Sequence, residues 1–180
     1  LITLFLLVIF SLLLARPNSS DEVSVLSKKS HAEKLWKTSG HADKTAEPFI
    51  HWNQDSPPQV PTSCAKCHST PGFIDFLGAD GSVPNIVDKA VPVGTTVECD
   101  VCHLDREKGI VRDHTSVTFP SGAKIEKLGP ESLCMECHQG RASSASVDNA
   151  IVKAAVQNED TVSSVLRFQN IHYYAAAANQ

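Results

Sequence analysis

The hydrophobic positions of this chain are concentrated at its beginning and form only short, irregular groups afterwards. Residues 1–15 are apolar apart from Thr3 and Ser11, and the sequence RPNSS at 16–20 ends the run. This pattern is typical of the hydrophobic region of a secretory signal. Because the chain begins with Leu1 and a spanning helix needs about 20 apolar residues, a membrane anchor with a longer apolar segment is the alternative. We therefore expect residues 1–20 to be a signal peptide or a membrane anchor, and the chain to be exported.

The next polar stretch carries signals for helix boundaries. Ser30 and Glu33 fit the capping box Ser-x-x-Glu, which predicts a helix start at residue 30 after a linker over 16–29. Gly40 and Pro48 interrupt the pattern that follows. We predict two short helical pieces, over residues 31–38 and 41–52.

The middle of the chain is rich in turn-forming residues. The prolines of residues 56–61 favour extended backbone, because proline fixes φ and disfavours helix in the residue before it. Turn sequences lie at 78–81 and 84–85, and no periodic pattern extends over residues 69–98. We therefore predict that residues 69–98 are mostly irregular.

The last third contains one hairpin signal and two helical patterns. Residues 116–119 and 123–126 flank Pro-Ser-Gly, which predicts a small β-hairpin. Residues 146–157 and 169–178 favour helix, the second because of its alanine run. The predicted fold class is mainly α, with extensive irregular loops and at most one small β-hairpin.

Size and charge exclude one class of partner. The 180 residues suit one domain, and the hydrophobic content of 42% is ordinary for a globular protein. The formal net charge is −4, and no block of like charges resembles a nucleic-acid-binding arm. We expect no nucleic-acid partner.

All six cysteines belong to three copies of the pattern Cys-x-x-Cys-His, which start at positions 64, 99 and 134. Two thiols three positions apart can each form a thioether bond to the edge of one haem, and the adjacent histidine can reach its iron. The pattern therefore predicts three haems c. The predicted attachment residues are Cys64, Cys67, Cys99, Cys102, Cys134 and Cys137, and the predicted proximal iron ligands are His68, His103 and His138.

Three other readings of the cysteines explain less of the pattern. Three disulfides would leave a histidine after each cysteine pair without a reason. Structural zinc sites usually combine two Cys-x-x-Cys pairs about 15 to 20 residues apart, whereas these pairs are farther apart and odd in number. A thioredoxin-like site needs one pair in a βαβ unit. Haem attachment is the favoured interpretation.

The second axial ligand decides what a haem does, because an occupied iron passes electrons and an open iron can bind a small molecule. The single methionine, Met135, lies beside the proximal histidine of its own motif and cannot easily reach the opposite face of that haem. We therefore expect histidine in the second axial position, and five of the eight histidines remain for that role. The candidates are His41, His172, His51, His114 and His31.

With these motifs, the chain resembles the amino-terminal part of an exported bacterial multihaem cytochrome c, over most of residues 36–178. The resemblance is carried by WKTSGH at 36–41, CAKCHS at 64–69, FPSG at 119–122, CHQGR at 137–141 and NIHYY at 170–174. It implies that His41 and His172 are distal ligands. Family members commonly continue into further haem sites, so we expect residues 21–180 to be a trihaem cytochrome c domain that is incomplete at its C-terminus.

Two functions are compatible with three such haems. The first is electron transfer in the periplasm or outside the cell, between redox partner proteins or further haem domains of the same chain. The second is the electron-feeding part of a multihaem oxidoreductase that acts on a nitrogen or sulfur oxyanion, which would need one open iron. The first is favoured because enough histidines are present to occupy all three irons. Membrane association through the N-terminal segment is an additional expectation.

Overall fold

The computed structural model describes residues 19–158, 160–172 and 174. The chain divides into two compact units, Leu1–Asp43 and Lys44–Gln180, and the predicted haem domain spans both. The predicted signal peptide or anchor lies outside the described residues, except for its last two positions. Among the described residues, no helix has the length and apolar character needed to cross a membrane.

The described part of the first unit is dominated by one long helix, α1, over Ser19–Lys37. Both the predicted linker over 16–29 and the predicted helix start at residue 30 are therefore wrong. The capping-box signal failed because Ser30 is preceded by twelve residues without proline or glycine, and nothing there stops the helix. An exposed ion pair between Glu33 and Lys37, 2.7 Å long, joins adjacent turns near its end.

The second unit contains six short helices in its described part. The predicted helix over 41–52 is reduced to four residues, because Pro48 lies in the first turn of α2, where its missing N–H is tolerated, and so begins the helix instead of interrupting it. The helices are α2 Glu47–Ile50, α3 Thr62–His68, α4 Thr70–Phe76, α5 Cys99–Cys102, α6 Glu131–Cys137 and α7 Ser144–Lys153.

Helix α4 is an element that the sequence prediction missed. Ser69 is its N-cap and accepts a hydrogen bond from the Gly72 amide at 3.1 Å, while a proline occupies the first turn. Ser-Thr-Pro is a helix-start signal, so residues 69–76 are wrongly predicted as irregular. Residues 77–90, by contrast, contain no helix or strand.

The described chain forms three two-stranded antiparallel sheets, so the expectation of at most one hairpin is wrong. The predicted hairpin is confirmed as β5 paired with β6, with Val117 opposite Ile125. Strands β1 and β2 are far apart in sequence, and no local turn signal could reveal their pairing. The strands are β1 Gln59–Val60, β2 Val91–Pro92, β3 His103–Asp105, β4 Ile110–Val111, β5 Ser116–Thr118 and β6 Lys124–Glu126.

Two apolar clusters form the core of the second unit, and both include residues of the cysteine motifs. The first contains Val60, Ala65 and Val91, with Trp52 and Cys64 packed against it. The second contains Phe73, Val101 and Leu133, with Leu77, Val97, Cys102 and Cys137 packed against it. Burial of these side chains holds the motif helices together.

Helices α3 and α4 approach each other unusually closely. A Cβ added at Gly72 would lie 2.5 Å from the Cβ of Ala65 and would also meet the Ala65 carbonyl. Ala65 is completely buried, so it has no space into which to move. Glycine at position 72 is therefore required by the packing of the two helices.

A buried carboxylate organises the loop after α4. Asp75 is 1% exposed, and its two oxygens accept hydrogen bonds from the Ser82 hydroxyl at 2.8 Å and from the Asp88 amide at 3.1 Å. These bonds satisfy the buried carboxylate and hold a segment that has little regular structure.

The end of the described chain agrees only in part with the prediction. The helix predicted over 146–157 is present as α7, whose capping box joins Ser143 and Ser146. Residues 169–172 are not helical, and residues 173 and 175–178 of the second predicted helix lie outside the described residues. The described fold as a whole is mixed helical with small antiparallel sheets.

Candidate cofactor-binding site

Each Cys-x-x-Cys segment lies on one helical turn of the second unit. We call Cys64, Cys67 and His68 the first site, Cys99, Cys102 and His103 the second, and Cys134, Cys137 and His138 the third. The three segments occupy α3, α5 and α6, and their histidines lie at or just after the helix end. Residues three apart share one face of a helix, so each site presents two thiols side by side. None of the six cysteines forms a disulfide.

The first and third sites contact each other through the residues that precede their second cysteines. The Lys66 ammonium lies 3.0 Å from a carboxylate oxygen of Glu136. The sulfur of Cys67 lies 3.9 Å from the Glu136 carbonyl oxygen, and the sulfur of Cys137 lies 3.9 Å from the Lys66 carbonyl oxygen. The second cysteine of each helical turn therefore contacts the backbone of the other turn.

The thiols of these two sites also influence each other's ionisation. The neighbouring Cys137 side chain lowers the pKa of Cys67. The neighbouring Cys67 side chain, together with burial, raises the pKa of Cys137 well above its usual value. Burial also raises the pKa of Cys102.

The carboxylate of Glu136 is buried and hydrogen-bonded on both oxygens. Its side chain is 4% exposed. In addition to Lys66, it accepts hydrogen bonds from the His114 ring at 3.0 Å and from the Gln139 amide at 3.2 Å. The hydroxyl of Ser132 donates to the His114 carbonyl and fixes that residue against α6. These partners satisfy a charge whose isolated burial would cost several kcal/mol.

The second site contacts the third site through apolar packing. Val101 belongs to the same core cluster as Phe73 and Leu133, and Cys102 and Cys137 both pack against this cluster. Leu133 immediately precedes the first cysteine of the third site. Apolar burial therefore holds the second and third sites together.

His68 is held in a defined orientation. Its Nδ1 lies 2.7 Å from the Pro48 carbonyl oxygen, so Nδ1–H donates to this carbonyl and the lone pair of Nε2 is available. Burial lowers the pKa of His68, despite the opposing effect of that hydrogen bond. Trp52 packs edge-on against the ring at a centroid distance of 5.3 Å. The neutral imidazole, which is the form that binds a metal, is therefore favoured.

His172 is the predicted distal ligand that the structure brings to a proximal histidine. Its ring centroid lies 6.3 Å from that of His68, with the ring planes at 76°. The Arg141 amide donates to the Ile171 carbonyl at 3.0 Å, which ties this segment to the chain after the third site. Gly140 is required at this contact because its φ is +83° and an added Cβ would lie 2.9 Å from that same carbonyl oxygen.

Two ring nitrogens have unsatisfied hydrogen-bonding capacity. Among the described residues, Nδ1 of His103 and Nδ1 of His172 are buried and have no hydrogen-bond partner. The backbone of His172 also has a φ of +55°, which is uncommon for a residue other than glycine. Such backbone conformations are concentrated at functional sites.

The other distal candidates lie in different surroundings. His51 is exposed and bonded to Glu47 at 2.7 Å, and Trp52 contacts both its ring and that of His68. One ring nitrogen of His114 is hydrogen-bonded to the Glu136 carboxylate. His41 and His31 belong to the first unit, so their proposed ligand role stays a prediction.

Sequence reasoning missed Lys66, Glu136 and Trp52 as components of this region. A signal for the first two was present: Lys66 and Glu136 occupy the same position, directly before the second cysteine, and have opposite charges. The equivalent position of the second motif is Val101, which is buried in the core. This one position therefore determines how each motif packs.

Comparison with known proteins adds no relative. No protein-family model, no curated protein and no solved structure matches the chain. Within the described residues, no three or more His, Cys, Asp or Glu side chains form a group that could hold a metal ion by themselves.

Proposed function

We propose that this chain binds three haems c covalently and transfers electrons outside the cytoplasm. The observation that carries the proposal is the arrangement of the cysteines. Three pairs of cysteines lie on helical turns of one unit, and a histidine lies at the end of each turn. Each pair is suited to two thioether bonds with one haem, and each histidine is suited to be an axial ligand of its iron. Export is inferred from the apolar run at residues 1–15.

The surroundings of His68 fit a haem iron ligand. A metal–nitrogen bond of about 2 Å, with the ring centre about 1 Å beyond the nitrogen, gives a centroid separation of about 6 Å for two imidazoles across one iron. The separation between His68 and His172 is 6.3 Å. The hydrogen bond from Nδ1 of His68 to the Pro48 carbonyl leaves Nε2 as the donor atom, as is usual for metal-bound histidine. His68 and His172 would therefore hold the first haem from opposite faces.

Electron transfer follows from this ligand set. A haem with two histidine ligands gains and loses one electron at its iron without an open coordination position. The protein residues keep this arrangement fixed: the Pro48 carbonyl and Trp52 orient His68, while Asn170 and Arg141 hold the segment of His172. Little rearrangement is then needed when the charge on the iron changes. The partners are redox proteins or further haem domains of the same chain.

The experiment is expression with the haem-maturation machinery, followed by mass spectrometry and absorption spectroscopy. We expect a chain that carries three haems and a Soret band that changes little when carbon monoxide is added after reduction. A matched variant, Cys99→Ser/Cys102→Ser, should carry two haems. A chain without covalent haem would overturn the proposal. A large Soret shift in the folded protein would contradict electron transfer through closed irons and would favour the oxyanion-reducing alternative.

A further inference from the structure

The contacts between the three sites do not follow their order in the sequence. The motifs are spaced evenly, which suggests a chain of sites in the order first, second, third. The first and third sites are nevertheless in direct contact, through an ion pair between residues 70 positions apart. The contact between these two sites bears on the order in which electrons would pass among the three sites.

The contact between the first and third sites is made by the attachment residues themselves. The sulfur of Cys67 and the sulfur of Cys137 each lie 3.9 Å from a backbone carbonyl oxygen of the opposite motif. The two second cysteines therefore lie at the centre of the interface between the two helical turns.

Lys66 and Glu136 fix this interface. Their ion pair is 3.0 Å long, and the Lys66 side chain is 26% exposed while that of Glu136 is 4% exposed. The ammonium of Lys66 also lies 4.6 Å from the ring centre of Phe76, which limits its movement. Because the Glu136 carboxylate is buried, solvent screens this ion pair less than an exposed one.

We propose that Cys67 and Cys137 make the first and third sites a directly contacting pair, so that electrons pass between these two haems without visiting the second site. This inference rests on the proposed function. Each sulfur would hold the edge of its own haem, and each already contacts the backbone of the opposite motif. The step exchanges one electron: the iron at one site is oxidised from ferrous to ferric, and the iron at the other is reduced from ferric to ferrous. No proton or further reactant is needed.

The second site contacts this pair through the third site. Cys102 and Cys137 pack against the same cluster of Phe73, Val101 and Leu133. This contact is formed by apolar side chains. The third site is thus the one that touches both others, and the spatial order is first, third, second.

The test is electron paramagnetic resonance of the haem-loaded full chain in its oxidised form, with one site emptied at a time. The Cys99→Ala/Cys102→Ala variant lacks the second haem and should keep the magnetic interaction between the remaining two irons. The matched variant Cys134→Ala/Cys137→Ala lacks the third haem, leaves the two sites that do not touch, and should lose that interaction. Persistence of the interaction without the third haem, together with its loss without the second, would overturn the proposal.

A second measurement uses a variant that keeps all six cysteines. In Lys66→Met/Glu136→Gln the ion pair is removed, and we expect the midpoint potentials of two haems to change while the third stays the same. Equal changes in the midpoint potentials of all three haems, or no change in any of them, would contradict the proposed contact between the first and third sites. Mass spectrometry separates this inference from the proposed function. If the protein carries three haems but shows no magnetic interaction between the first and third irons, only the proposed contact between these two sites is overturned. A protein without covalent haem overturns the proposed function itself.

Discussion

The ring of His172 lies nearly perpendicular to that of His68, at a centroid distance of 6.3 Å and an interplanar angle of 76°. These two residues come from opposite ends of the second unit. The backbone hydrogen bond between Arg141 and Ile171 ties the later segment to the chain that follows the third site. If the two rings share one iron, each is required to keep that iron six-coordinate.

Replacing His172 should therefore open one haem. In the haem-loaded His172→Ala protein, we expect carbon monoxide to bind about one iron of three after reduction, measured as the change in the Soret band. Phe168→Ala is the matched control, because Phe168 lies in the same segment, is exposed and has no side-chain atom that could bind iron, and it should behave like the original protein. Carbon monoxide binding in the control but not in His172→Ala would show that the ligand assignment is wrong.

The close approach of α3 and α4 predicts a large effect from a single methyl group. Gly72→Ala should lower the free energy of unfolding by about 1–3 kcal/mol, because the new Cβ would overlap the buried backbone of Ala65. Denaturant unfolding measures the change. Gly40→Ala is the control, since an added Cβ there meets nothing within 4 Å. Equal stability of the two variants would contradict the packing described for these helices.

Two carboxylates in ion pairs should differ strongly in their contribution to stability. Glu136→Gln weakens a buried network of Lys66, His114 and Gln139, and should cost about 1–3 kcal/mol of unfolding free energy. Glu126→Gln removes an exposed pair with Lys124, which is 2.6 Å long, and should cost much less, because solvent screens this pair. Thermal unfolding of both variants tests the difference. Similar losses would mean that burial does not set the strength of these pairs.

The buried carboxylate of Asp75 should control the order of the loop after α4. In Asp75→Ala the Asp88 amide loses its acceptor, so its hydrogen-exchange protection should decrease by about tenfold or more. Amide exchange followed by NMR measures this change. Asp80→Ala is a suitable comparison, because Asp80 is bonded to the exposed Ser82 amide and to Lys89 but not to Asp88. Unchanged protection of the Asp88 amide in Asp75→Ala would contradict the assigned role.

The elements that were predicted correctly depend on short-range signals. The β5–β6 hairpin is encoded by the turn at 120–122, and α7 by a local helical pattern and its cap. The missed elements have two different causes. The capping signal at Ser30 does not begin α1, because the described residues before it contain no proline or glycine that would stop the helix. The pairing of β1 with β2 joins residues about 30 positions apart, which no local pattern encodes.

The sequence by itself determined the chemistry of each site, because two cysteines at i and i+3 with a histidine beside them form a local unit that needs only one helical turn. Tertiary structure decided which sites touch and which distant histidine meets His68. Those relationships depend on Lys66 and Glu136, whose attraction acts across 70 residues of chain, and on the apolar cluster around Phe73. Ion pairing and apolar burial act between any segments that the fold brings together, so residue spacing along the chain could not reveal the order of the three sites in space.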